Sequence, residues 1–347
     1  MPHATVNDVS LFYELSGDAG PPMVLVHGSW SDHHGFDRVV AGLAESFRVL
    51  TFDRRGHSES DGRETQGSVR EDGDDIAALL EHLDMRPAHA VASSFGGVIS
   101  LNLATVRPDL FRSVVAHEPP LLDMIPSDHP IRHEADDATV RSAQLAEEAE
   151  ADPEGAARLF VEEVAFGPGS WDQLPRYLRE TFVRNAPTFA DERRDPDAGR
   201  VDLEGLGTFP RPILLTKGET SPPYLHAVVE ILAASLPRAE VKTYAGGGHA
   251  PQSTHAEQYV ATVTEFANRV DRSVDDVECA ARRPVDDLYL DLVATCVHHG
   301  AFGAGRPSAD PLREADTVDL LDSVCVGHGP PQRSPMKAVT SGGLSPT

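Results

Sequence analysis

Short apolar runs closed by turn residues recur along the first part of the chain. Val9-Ser-Leu-Phe-Tyr13 alternates polar and apolar positions as a strand does. Met23-Val-Leu-Val-His27 is an apolar run stopped by Gly28 and reads as a buried strand, as does Arg48-Val-Leu-Thr-Phe-Asp53. From Val69 to Leu83 the period changes: Ile76, Leu79, Leu80 and Leu83 share one helical face. Ala88-His-Ala-Val-Ala92 is again a strand, Phe95 to about Val106 a helix of small residues, and Arg112-Ser-Val-Val-Ala-His117 the next strand. Strands alternating with helices predict an α/β fold with a mostly parallel sheet covered on both faces.

The alternation stops between about 131 and 197. This segment is acidic and helical in pattern, with Asp152-Pro153 as a helix start and Leu159, Phe160, Glu163, Val164 and Phe166 following. Trp171 to Arg184 reads as another helix, with Leu174, Tyr177, Leu178, Phe182 and Val183 on one side. The expectation is a helical lid inserted in the sheet domain. The rhythm resumes at Pro212-Ile-Leu-Leu-Thr-Lys-Gly218, a helix from Tyr224 to Leu236, the strand Glu240–Tyr244 and a last helix from about Ala256 to Val270. One domain therefore spans 1–270. The remainder, 271–347, reads as an extension, partly helical and partly disordered: Val285, Leu288, Tyr289, Leu292, Val293, Cys296 and Val297 form an apolar stripe, Val318, Leu321, Val324 and Cys325 hint at another, and the end is rich in Gly, Pro and Ser. That stripe offers a face for pairing with a second copy, a homodimer.

Composition narrows the partners. The 347 residues carry a net charge of −25, which repels phosphates and argues against nucleic acid or an anionic membrane as partner. Lysine occurs only at Lys217, Lys242 and Lys337. No stretch of about 18 apolar residues reads as a transmembrane helix, and no secretory signal pattern opens the chain. The cysteines, Cys279, Cys296 and Cys325, all lie late, so the first 278 residues hold no disulfide, which fits a cytoplasmic location. With His298, His299 and His328 they lack the paired spacing of a zinc site. Asp72, Asp74 and Asp75 read as a charge run at a helix start.

Three segments carry chemistry. Ala92-Ser93-Ser94-Phe95-Gly96-Gly97 follows a strand and opens a helix, the context of a nucleophile elbow. The sharp turn needs small residues two before and two after the nucleophile. Ala92 and Gly96 satisfy this for Ser94, whereas Val91 and Phe95 do not for Ser93. His27-Gly28-Ser29-Trp30 follows an earlier strand, where a loop amide serves an oxyanion hole, with the N–H groups of Ser29 and Phe95 as donors. Gly246-Gly-Gly-His-Ala-Pro251 follows the last strand and brings His249, the base a serine hydroxyl needs.

Together these motifs resemble the α/β-hydrolase superfamily, in the branch with a serine nucleophile and a helical lid. The likeness covers about residues 5 to 270 and implies an eight-stranded type of sheet. Asp53-Arg-Arg-Gly-His-Ser58 matches as well, with Asp53 and Gly56 shaping a turn. The resemblance implies a serine hydrolase that cleaves a small ester or related acyl substrate through a Ser-His-acid triad and an acyl-enzyme, with no cofactor and no metal. The family's usual acid position is held by Ser221. Two carboxylates compete for the role: Glu118, at a strand end where some lidded relatives carry their acid, and Glu219 in the usual loop. Glu118 is preferred, because a strand end holds a side chain more rigidly than a loop. Trp30, Met124 and Trp171 are candidates for lining the substrate pocket, with plain packing as the alternative for Met124 and Trp171. Other chemistries share such a site: a lyase, a cofactor-free haloperoxidase, a carbon–carbon bond hydrolase, or a ligand sensor without catalysis.

Overall fold

The structure is a computed structural model that describes residues 2–62 and 66–281. Among these, eight strands form one sheet: β1 (His3–Val6), β2 (Val9–Ser16), β3 (Pro22–Val26), β4 (Arg48–Phe52), β5 (Ala88–Ser93), β6 (Phe111–His117), β7 (Ile213–Gly218) and β8 (Ala239–Tyr244). Their spatial order is β1-β2-β4-β3-β5-β6-β7-β8. Pairings from β4 onward are parallel; β1–β2 and β2–β4 are antiparallel.

Helices lie on both faces, and the period of two along the central strands sorts residues between them. Val24 and Val26 of β3 enter the larger core with α2 (Val69–His82), α3 (Phe95–Val106) and α8 (Pro223–Ser235). Met23 and Leu25 enter the opposite core with α1 (Asp37–Ala44) and α10 (Ala256–Ala281). Both faces being covered explains why the strands read as continuous apolar runs.

Several elements differ from the sequence expectation for identifiable reasons. β1 was not foreseen; Asn7 and Asp8, both at positive φ, make the two-residue turn of a hairpin with β2. The last helix runs to Ala281 rather than about Val270. Asp271 on it accepts from Arg112 at 2.8 Å and meets His89 Nε2 at 3.2 Å, which ties that turn to the sheet. Trp171–Gln173 is a single 3-10 turn, because Leu174 precedes Pro175 and is forced extended. The apolar stripe of 285–297, the later hint at 318–325 and the end expected to be disordered lie outside the described residues.

The insertion between β6 and β7 is helical, as expected. It comprises α4 (Arg132–Ala151), α5 (Pro153–Phe160), a π-helical turn Val161–Ala165 and α6 (Arg176–Arg194); α7 (Leu203–Gly207) leads back to the sheet. Asp152 caps α5 by accepting from Gly155 N–H. The lid has its own apolar cluster of Leu145, Ala149, Phe160, Phe182 and Phe189, to which the body contributes Trp30. No helix of the described residues is long and apolar enough to cross a membrane.

Candidate active site

Ser94 sits at the junction of β5 and α3 with φ 52° and ψ −122°, a conformation that costs an L-residue strain and persists only where the surroundings hold it. Its N–H donates to His117 O at 2.8 Å, and its carbonyl accepts from Gly97 N–H at 2.8 Å. The end of β3 presses on the turn. A Cβ on Gly96 would fall 2.3 Å from Val26 O, and one on Gly28 would fall 2.9 Å from Ser94 Cβ. Both positions therefore need glycine for close approach.

The loop after β8 carries His249, whose Nδ1 lies 2.6 Å from Glu118 Oε2. Glu118 follows β6 at φ 43° and is fully buried. Its N–H donates to Thr216 O at 3.0 Å, and its Oε1 accepts from Gly218 N–H at 2.7 Å. Burial pushes the carboxyl pKa up, but the hydrogen bond to His249 and the imidazoles of His117 and His249 outweigh it and bring it to about 2. An ionised carboxylate only accepts, so Nδ1 donates and Nε2 is left as the acceptor. Glu219, in contrast, is exposed, and its Oε2 accepts from Gly246 N–H at 2.7 Å, bracing the loop without meeting the ring. Ser221 is buried. Beside the pair, His117 places Nδ1 3.0 Å from Thr216 Oγ1, and burial lowers its pKa to about 4.

Ser94 and His249 line one cavity of about 70 Å³, together with His27, Gly28 and Ser29. That space holds a few waters or a small acyl group. Phe160, Ala165, Phe166, Leu178 and Phe182 of the lid line it as well, as do Ser93, His34 and Gln252. Phe95 is the first residue of α3, so its amide has no intrahelical carbonyl to meet. A Cβ on Gly28 would lie 3.6 Å from that nitrogen, which sets the two expected oxyanion segments side by side.

The three expected pocket residues fall elsewhere. Trp30 is fully buried and stacks on Phe160 at 5.0 Å, Trp171 belongs to the lid cluster, and Met124 packs at the edge of the larger core. The lid phenylalanines do line the cavity, but their apolar stripe in the sequence does not say which side faces the sheet.

Beneath the Gly28–Ser29 loop lies a charged network that the sequence reading missed. His27 Nε2 accepts from Arg54 N–H at 3.0 Å, so Nδ1 carries the proton donated to Gly28 O at 2.9 Å. Burial first, and then the Arg54 charge, lowers the His27 pKa to about 3. The Arg54 guanidinium is buried and bonds Asp72 Oδ2 at 3.0 Å, Gly28 O at 3.3 Å and Glu192 Oε1. Ser29 Oγ–H donates to Glu192 Oε2. Asp72 lies in the first turn of α2, as expected of a charge run at a helix start, and Asp74 is exposed; but Asp72 and Asp75 are buried, Asp72 against Arg54 and Asp75 against Arg55 at 2.7 Å. They lie three apart on the face of α2 that meets the turn 53–58.

Among the described residues, two buried triplets, His117-Glu118-His249 and Asp32-His33-Asp53, bring metal-ligand atoms close together. Hydrogen bonds account for their arrangement. Asp53 meets His33 at 2.7 Å, and Asp32 Oδ2 accepts from Ser58 Oγ at 2.7 Å and Thr181 Oγ1 at 3.0 Å.

Comparison with known proteins agrees with this architecture. A 122-residue stretch is 36% identical to the uncharacterized hydrolase YraK of Bacillus subtilis, covering 35% of this chain and 45% of that one. The chain thus spans less than half the length of that relative. Over 255 residues it is 29% identical to pimeloyl-[acyl-carrier protein] methyl ester esterase of Xanthomonas campestris, covering 71% of this chain and 95% of that one. The enol-lactonase of Burkholderia xenovorans superposes with a TM-score of 0.65 at 21% identity, covering 77% of this chain and 100% of that one, and so shares the fold. The family model described as alpha/beta hydrolase fold matches residues 21–256, from the first buried strand to the turn beyond His249, and the chain belongs to that family.

Proposed function

We propose that the protein is a serine hydrolase that cleaves a small ester, thioester or lactone. The observation that carries this reading is the 2.6 Å contact between His249 Nδ1 and the buried Glu118 carboxylate, on the cavity that Ser94 also lines. With Nδ1 donating to Glu118, Nε2 is free to take the Ser94 proton. Ser94 Oγ then attacks the acyl carbonyl, and the amides of Ser29 and Phe95 hold the oxyanion. His249 returns the proton to the leaving alcohol, and a water that His249 activates releases the acid and restores Ser94. The substrate is a small molecule; the narrow apolar cavity favours a short acyl group.

The test is a panel of p-nitrophenyl esters from acetate to decanoate with a fluorophosphonate as active-serine probe. Turnover that is strongest for short chains, together with labelling of Ser94, is expected; Ser94→Ala abolishes both. Absence of labelling in the wild-type protein overturns the reading in favour of a non-catalytic ligand sensor. Labelling without ester turnover directs attention to lyase, haloperoxidase or carbon–carbon bond chemistry on the same serine.

A further inference from the structure

We infer that Glu192, on the lid helix α6, is a positioning residue for the oxyanion loop, so that the Ser29 amide is aimed correctly only when α6 is seated. The inference rests on the reading of Ser94 as nucleophile. A peptide unit is planar and trans, so whatever fixes the carbonyl of Gly28 also fixes the direction of the Ser29 N–H, which points the opposite way. Two donors hold that carbonyl, His27 Nδ1 at 2.9 Å and Arg54 Nη2 at 3.3 Å. Glu192 holds the other end of the same unit: Oε2 accepts from Ser29 Oγ, and Oε1 accepts from the Arg54 nitrogen that bonds Gly28 O.

Glu192 and Arg54 are 4% and 1% exposed, so their charges act at short range with little screening. Of the groups holding this peptide, Glu192 alone comes from the lid. It belongs to a polar stripe of α6: Asn185 Nδ2 donates to Ser31 O at 3.0 Å, and Thr188 Oγ1 lies 3.0 Å from His57 Nε2. When α6 lifts, Arg54 keeps Asp72 but loses Glu192, and the Ser29 hydroxyl loses its acceptor. Closure of the lid and completion of the oxyanion hole thereby become one event.

The test uses the full chain, p-nitrophenyl acetate and three variants: Glu192→Gln, Ser29→Ala and the double substitution. Misaiming one oxyanion donor should lower kcat about tenfold to a hundredfold while KM stays within about threefold. Because the Ser29 hydroxyl acts through its bond to Glu192, the double variant should fall no further than the worse single one. Ser29→Ala leaves the buried ion pair intact, so it decides the matter if Glu192→Gln fails to fold. Wild-type kcat in Ser29→Ala, or losses that multiply in the double variant, overturns the inference. A wild-type protein that neither turns over ester nor labels with fluorophosphonate removes the functional reading instead, and the inference with it.

Discussion

Replacing Glu118 by glutamine separates the two candidate acids and tests the triad at its most buried point. The carboxylate accepts two N–H groups, from Gly218 at 2.7 Å and from His249 Nδ1 at 2.6 Å. Glutamine has one acceptor and one donor end. If its oxygen serves Gly218, its NH2 faces Nδ1, which must then accept; the imidazole proton moves to Nε2, where it blocks the Ser94 hydroxyl. If the amide turns round, two N–H donors meet at Gly218 in a fully buried site, at a cost of about 1–3 kcal/mol. Losing the carboxylate also removes the charge that stabilises the imidazolium. A tautomer error of this kind costs about 10³ to 10⁴ in kcat, or ~4–5.5 kcal/mol of barrier. Glu219→Gln removes only an exposed bond to Gly246 and should change kcat less than about threefold. Steady-state hydrolysis of p-nitrophenyl acetate at pH 8 reads both. If Glu219→Gln proves the more damaging, or Glu118→Gln stays within tenfold of wild type, the acid is misassigned.

Two further outcomes follow from the buried groups and the chain's end. His27 and His117 are held at about 3 and about 4 against 6.5 when exposed, so the unfolded chain binds protons before the folded one does. Their stabilisation is complete above pH 6.5 and is lost as pH falls toward 4, by up to ~2.7 kcal/mol per pH unit for the two together. The melting temperature should drop steeply between pH 6.5 and 4, and His117→Gln should flatten that slope; a Tm that does not change across this range contradicts the assignment. Truncation after residue 275 keeps Asp271 with its Arg112 and His89 partners and should leave a soluble, active enzyme, whereas aggregation of that truncation would place later residues in the core.

What the sequence disclosed was whatever depends on neighbours in the chain. The elbow was legible because Ala92 and Gly96 flank Ser94 at fixed offsets, and the buried strands because both their faces are apolar. The preference for Glu118 also came from local placement at a strand end. Glu192 was not legible: α6 mixes five arginines with three carboxylates, and nothing in the local sequence distinguishes it from Asp191 beside it. Its meaning depends on Arg54 and Ser29, which only the fold brings to it. The ion pair of Asp72 with Arg54 was hidden for the same reason, and Trp30 was taken for a pocket residue because its anchoring partner, Phe160, comes from the insertion.

One dipeptide at the end of β6 holds two members of the site at once. The carbonyl of His117 grips the backbone of the turn that bears Ser94, and the next residue is Glu118, the proposed acid. The span between hydroxyl and carboxylate is thus set by a covalent bond and one hydrogen bond within the sheet, not by the covering helices. Substrate can come and go, and the insertion can diverge in sequence, without altering that span; adjustment is left to the loop bearing the imidazole and to the Gly28–Ser29 loop.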